Sequence, residues 1–431
     1  MFEFEHVSLL PTQYAYNANR ATVILYLLCN TMETNVKKNT QSIEEKTLRA
    51  LSEHGLADKA NSLLLMVSGG SDSCGLAYVM NDLSQRGEIG PLAMLHVNHC
   101  IRGQQADDDQ RFVEALADAL GLPLFVCAID IPALVASEGG NLEAIARRER
   151  YAAAREALQS MCAHEGIPNE EGRICVAHTQ NDRVENFYMR SIVGTGPGGL
   201  AGMTWRTGNV IRPLLGISRD EIRAYIEARA ADGDRITVTD DEGALWRDDA
   251  TNDDTEYFRA YVRSTMIPLA LEKNPNLFDT LCRTMDLVAD EDAHLESLAE
   301  QAIRTHVSWT APSTDPLLDI MGGILPDTRL MVVNEDDDAP DYSAGCVIAP
   351  AFGTEELVIR RRTVFDVLSM ILPEEMRVEN ASVQAVLDAW DGDTIRSGYV
   401  TNIQGNLAVS ANKRGVRIEP MEAYRARRKK L

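Results

Sequence analysis

The sequence predicts an α/β fold: a parallel sheet with helices on both faces, then a helical arm and a small α+β C-terminal domain. Two observations carry this. Between residues 62 and 193, short apolar runs alternate with stretches of helical spacing, the pattern of a parallel sheet covered by helices. The first apolar run leads straight into "SGGSDS" (Ser68–Ser73), a glycine-containing turn from strand to helix.

Each element follows in order. "SLLLMV" (Ser62–Val67) is a buried strand, and "SCGLAYVMNDLSQRG" is a helix that stops at Gly87. "LAMLHV" (Leu92–Val97) is the second strand, followed by the helix "QQADDDQRFVEALADALG". "LFVCAI" (Leu124–Ile129) is the third, followed by the long helix "NLEAIARRERYAAAREALQSMCAHEG", with Asn141 as its N-cap. "RICVAH" (Arg173–His178) is the fourth, followed by the helix "QNDRVENFYMRSIV". "GTGPGGLAGM" (Gly194–Met203) reads as a flexible loop, or as a plain connector. "ISRDEIRAYIEARA" opens a helix with Ser218 and Glu221 as a capping box. Ligands of such sheets lie at the carboxyl ends of the strands, so Ser68–Ser73, "VNHCIRG" and "AHTQNDRVEN" should converge there.

The length of 431 residues suits two or three domains. Residues 1–48 read as a weakly ordered N-terminal extension, consistent with a translation start at Met32; the apolar run "ATVILYLLC" in it is too short to span a bilayer. Residues 49–272 form the main α/β domain and 273–345 a helical arm closing on the acidic loop "NEDDDAPD". Residues 346–431 are a C-terminal domain of two helices, a hairpin and the basic end "YRARRKKL". Acidic residues outnumber basic ones by 65 to 42, for a net charge of −23, so an RNA partner would have to be met by local basic patches. Such patches are Arg147, Arg148 and Arg150, then Arg360 to Arg362, then the basic end. The eight cysteines are scattered without C-x-x-C spacing, which points to a reducing cytoplasm and away from a zinc site or a disulfide framework.

"SGGSDS" points backbone N–H groups and a helix N-terminus at one spot, which is an anion site. It lacks the lysine of a Walker loop. It resembles the signature loop of the PP-loop ATP pyrophosphatases, enzymes of adenine nucleotide alpha hydrolase-like fold that split ATP into AMP and pyrophosphate. The order of "LHVNHCIRGQQADDDQRFV", "NLEAIARRERYAA", "AHTQNDRVEN", "GTGPGGLAGM", "IRPLLGISRDEI", "WRDDATND" and "RAYVRSTMIPLA", over about Leu63 to Asn276, is similar to that of the tRNA(Ile)-lysidine synthetase family. That resemblance implies activation by ATP of C2 of the wobble cytidine (C34) in a tRNA(Ile) with CAU anticodon. The ε-amine of free L-lysine would then displace AMP.

The resemblance assigns ATP to Ser68, Gly69, Gly70, Ser71, Asp72 and Ser73, with Asp72 linked to Mg²⁺. It assigns catalysis to Asp72, Arg102, Asp182, Glu185 and Arg259. His178, Asp182 and Glu185 fall at i, i+4 and i+7 on one face, suited to holding an ammonium or to positioning Mg²⁺. Substrate or tRNA contacts fall to His99, Glu143, Arg147, Arg150, His178 and Arg263, although Glu143 equally suits the helix dipole and the arginines a solvated face. "WRDDATND" adds Asp249 and Asn252. The chain departs from the family at Cys100, where glycine is usual, at Asn181 and Asn186, and at Ala260. Expected partners are the tRNA and L-lysine in the cytoplasm, without a membrane, and with a homodimer left open. Rival readings are a tRNA-thiolating enzyme, an amide-forming synthetase, or a non-catalytic nucleotide- or RNA-binding protein.

Overall fold

The structure is a computed structural model and describes residues 41–233, 235–247, 258–310, 341–373 and 376–429. The residues expected to form the N-terminal extension up to position 40, most of the acidic loop, Asp249 and Asn252 lie outside these. The chain divides into two compact units, Met1–Thr284 and Met285–Leu431, with the division falling inside one helix.

The first unit is built on a sheet of order β3-β2-β1-β4-β6-β5: β1 (Ser62–Met66), β2 (Leu92–Asn98), β3 (Leu124–Ala128), β4 (Gly172–Cys175), β5 (Arg206–Thr207) and β6 (Val210–Ile211). β1 pairs in parallel with β2 (Leu63 with Leu92) and with β4 (Leu63 with Arg173). Strand order therefore reverses between β1 and β4, the switch point at which ligands of open α/β sheets bind. The edge strand β5 departs from the expected all-parallel sheet. It runs antiparallel to β6, because only Gly208 (φ +59) and Asn209 join the two. A two-residue connection closes a hairpin, whereas a parallel pair needs a long crossover.

Alternate side chains of β1 serve opposite faces. Leu63 and Leu65 pack into one core cluster with Cys74, Val113 and Ile222, and Leu64 packs into another with Ala154, Leu158 and Ile174. The first cluster lies under the helices α1 (Ile43–Glu53), α2 (Ser71–Gln85), α3 (Gln104–Leu120) and, numbered below in chain order, the helix Arg219–Ala231. The second lies under α5 (Leu142–Glu165), which follows the short α4 (Ile131–Glu138). α1 starts at Ile43, inside the stretch read as extension, because Ser42 and Glu45 form a capping box and Leu51 is buried. The next helices are α6 (Gln180–Val193), α7 (Pro197–Ala201), which gives the glycine-rich loop a turn of helix, and α8 (Arg219–Ala231) with the expected Ser218–Glu221 box.

Gly75 explains the close approach of α2 and α8. A Cβ on it would stand 2.3 Å from Cγ2 of Ile222, which is fully buried. Gly75→Ala is therefore expected to lower stability by about 1–3 kcal/mol, despite alanine's better helix propensity. Thermal denaturation checks this, and an unchanged midpoint would mean that the helices part freely.

The second unit has an antiparallel sheet of order β11-β12-β13-β8-β7: β7 (Val307–Trp309), β8 (Cys346–Ile348), β11 (Val400–Ile403), β12 (Leu407–Asn412) and β13 (Gly415–Pro420). A two-stranded ribbon, β9 (Trp390–Asp391) with β10 (Thr394–Ile395), lies beside it in sequence. The sheet thus begins earlier than residue 346, since Val307 of β7 pairs with Ile348 of β8. Of the expected basic patch, Arg360 is a core residue. It is 8% exposed, donates to the carbonyls of Gly353 and Gly392, and lies over the rings of Phe352 and Trp390. Arg362 is bound to Asp292 at 2.6 Å and to Asp366 at 3.2 Å. The basic end is a helix (Met421–Lys429) whose Arg427 is tied to Glu419.

Candidate functional site

Two motifs stand at the carboxyl ends of the strands that flank the switch point. After β1, Gly69 takes φ +96, a left-handed conformation natural to glycine, and the backbone turns into α2. Ser73 Oγ accepts the N–H of Ser68 and donates to the carbonyl of Gly70 at 3.0 Å, which holds the loop closed on itself. Among the described residues no side chain caps α2, so its first N–H groups have no side-chain acceptor, as an anion site at a helix N-terminus would require.

After β4, Thr179 caps α6 in a capping box with Asp182: the Thr179 N–H reaches Asp182 Oδ2 at 2.8 Å. Asp182 and Glu185 are both buried, at 7% and 1% exposure. His178 precedes the cap, so it stands beside the helix end and not on the helical face expected for it.

Three arginines meet these carboxylates. Arg219, at the start of α8, donates to Asp72 Oδ2 at 3.0 Å and lies 3.6 Å from Asp182 and 3.7 Å from Glu185. Arg259 comes from the short helix Phe258–Tyr261 and reaches Asp182 at 2.6 Å and Glu185 at 2.7 Å. Arg263 sits in the π turn Val262–Met266 and binds Glu185 at 2.7 Å. Wide turns of this kind are frequent at functional sites because they re-aim a side chain. Burial lifts the Asp72 carboxyl above its ordinary range, against the pull of Arg219. Burial works the same way on Asp182, but Arg259, the Thr179 N–H and Arg219 outweigh it and hold this carboxyl below its ordinary range. The pair expected to hold a free ammonium is thus already met by guanidinium groups, and an incoming ammonium would have to displace one of them.

Asn181, where the family carries an aspartate, has a structural task. Its Oδ1 accepts the backbone N–H of Arg219 at 2.9 Å, which ties α6 to α8 and sets the arginine in place. Cys100 keeps the loop after β2 on a glycine-like path. It takes φ +53, at a cost of about 1 kcal/mol for a residue with a side chain, and its N–H is held by Asn98 Oδ1 at 3.0 Å.

Arg102 in that loop does not join the carboxylate cluster. It pairs with Asp109 at 3.0 Å, and Asp109 also holds Arg247 at 3.0 Å. The Arg247 N–H donates to the carbonyl of Gly69 at 2.9 Å, and its side chain would touch a Cβ at Gly69. Asp109 therefore links the "NHCIRG" loop to the phosphate loop. His99 has a buried Nδ1 with no partner among the described residues; burial, Arg150 and His96 push its pKa down. Arg147 and Arg150 flank the ring of Tyr151, at 5.1 and 5.9 Å, and the field of Arg147 reaches His178 and Arg212. Arg148, by contrast, is bound to Glu138 and Glu149, and Glu143 is exposed in the first turn of α5.

Arg212, Arg219, Arg247 and Asp109 escape a reading of the sequence. One signal was present for Arg219: a cation in the first turn of a helix opposes the helix dipole and calls for acidic partners. A buried arginine at the end of an apolar strand, as in "VIRPLL", is a similar signal for Arg212, which is 8% exposed. A cavity of about 760 Å³ is lined by Asn181 and Arg263, which touch the cluster, by Gln180, and by the stacked rings of His54 and Trp205. Among the described residues no group of three or more His, Cys, Asp or Glu is arranged to hold a metal ion. Among them, too, no helix is long and apolar enough to cross a membrane.

Residues 32–270 match the family model of the PP-loop domain. A tRNA(Ile)-lysidine synthase of Geobacter sulfurreducens is 33% identical over 268 residues, covering 62% of this chain and 52% of the relative. Its counterpart in Caldanaerobacter subterraneus is 33% identical and covers 60% and 50%, and that of Thermus thermophilus is 32% identical and covers 60% and 45%. The chain spans about half the length of the curated relatives it matches. With more than half of its residues matched and the "SGGSDS" loop set at the switch point of the sheet, this chain belongs to the PP-loop domain family.

Proposed function

We propose that the protein uses ATP to ligate free L-lysine to C2 of the wobble cytidine (C34) in a tRNA(Ile) with CAU anticodon. The product is lysidine, formed through an adenylated cytidine with release of AMP and pyrophosphate. The observation that carries this reading is the 3.0 Å bridge from Arg219 to Asp72, which joins the phosphate loop to the Asp182–Glu185 cluster. ATP use comes with the family. The names of the relatives supply the acceptor and the amine.

In this reading the loop Ser68–Ser73 and the α2 N-terminus hold the phosphates through backbone N–H groups. Arg219 and Arg259 supply positive charge beside the reacting phosphate, aligned in advance by their carboxylate partners. Asp182 and Glu185 take the ammonium of lysine by exchange with one guanidinium. Mg²⁺ suits Asp72, since this ion is commonly held by one or two carboxylates and the substrate's own phosphates, and it would neutralise phosphate charge there. Arg102, Arg147 and Arg150 face RNA or its wobble base.

Labelled lysine should enter a tRNA(Ile) transcript with a CAU anticodon, with ATP and Mg²⁺ present, and should spare a methionine tRNA. AMP and pyrophosphate should appear in step. Absence of label in the isoleucine transcript, with ATP bound, would overturn the proposal.

A further inference from the structure

His178 follows β4 at the switch point, and its Nδ1 lies 3.3 Å from Nε of Arg212. A guanidinium carries five donors and no acceptor, and it stays charged in proteins. The imidazole nitrogen facing it must therefore accept, which leaves the ring proton on Nε2. Arg212 is itself fixed, donating from Nη1 to the carbonyl of Thr204 at 2.8 Å and to Thr207 Oγ1 at 3.1 Å. The Nδ1–H tautomer would set N–H against N–H, and a flipped ring would set the Cδ2–H there and lose the acceptor.

We propose that Arg212 is a positioning residue that locks His178 as the neutral Nε2–H tautomer. His178 then serves as a hydrogen-bond donor to an oxygen of the bound substrate and is excluded as the base for the incoming amine. Only the donor role rests on the proposed function; the lock is a property of the free protein.

The surroundings agree. Burial, Arg212, Arg259 and Arg147 disfavour a charged ring, Asp182 favours it, and the balance lowers the pKa from 6.5 to about 4. Among the described residues Nε2 meets no partner, so the donor is available.

Selective ¹⁵N-histidine labelling of the full chain reads the tautomer directly. The eight histidines are sorted by comparison with His178→Gln. The expected spectrum shows His178 with an unprotonated Nδ1, a protonated Nε2 and no titration between about pH 5.5 and 8. A proton on Nδ1, or a midpoint near the ordinary 6.5, overturns the lock whatever the substrate. In Arg212→Met the ring should become a tautomer mixture or titrate near 6.5, and a ring still locked would remove Arg212 from the account. Should that variant not fold, the wild-type spectrum still decides.

The donor role is read in the lysine-incorporation assay. His178→Gln, which keeps an N–H, should retain at least about tenfold more activity than His178→Ala. Equal activities overturn the donor. A wild-type chain that incorporates no lysine, yet shows the locked ring, counts against the proposed function and not against the lock.

Discussion

Asp72→Ala should reduce pyrophosphate release from ATP by at least about 100-fold while leaving a folded chain. Asp72 is the carboxylate of the phosphate loop, in the first turn of α2. It is the loop's link to Arg219 at 3.0 Å. Removing it frees that guanidinium to swing toward Asp182 and Glu185, which already lie within 3.7 Å. The arginine keeps acidic company, so the fold survives, but the charge that the proposed function sets beside the phosphates is redirected. Binding and chemistry should separate: ATP still binds through the backbone of the loop, and its cleavage fails. Calorimetric ATP titration beside a pyrophosphate assay checks both, and retained turnover would remove Asp72 from catalysis and from any Mg²⁺ site.

Glu185→Ala should lower the stability of the first unit by about 3 kcal/mol, because removing one member of a buried charge set leaves its partners uncompensated. Glu185 is 1% exposed and is approached by Arg259, Arg263 and Arg219. A loss of that size corresponds to a fall in Tm of roughly 6–12 °C for a unit of this length. Glu185→Gln keeps the shape and should recover part of the loss through hydrogen bonds, while lysine-dependent turnover stays low. A Tm within a degree or so of wild type for the alanine variant would mean that water already compensates the arginines. Since Arg259 and Arg263 retain partial exposure, the measured fall is expected toward the lower end of the range.

Much of the first unit could be read directly. The strands at Ser62, Leu92 and Leu124 and the helix from Gln180 lie where apolar runs and spacing put them, because each buries its own stripe against a sheet covered on both faces. Less legible were the short β5–β6 edge, α4 and β7, whose few residues carry no periodicity of their own. The basic run Arg360–Arg362 was misleading because three adjacent residues on a helix face different ways. Arg360 turns into the core and Arg362 onto Asp292.

Of the candidate site, the residue types of "SGGSDS", "AHTQNDRVEN" and "RAYVR" were plain, and the sequence alone identified the phosphate loop with its family. Which charges meet was settled by the tertiary structure. Asp72, Asp182 and Glu185 lie on two helices that leave the strands on either side of the reversal, and Arg219 reaches all three from a third. Arg212 meets His178 across 34 residues, and Arg247 meets Asp109 across 138. Local pattern determines which segments are helix, strand and loop, because it reports how a segment hides its own apolar face. Pairing between charges far apart in the chain follows from strand order, so the meeting of Arg219 with Asp72, Asp182 and Glu185, and of Arg212 with His178, belongs to the fold.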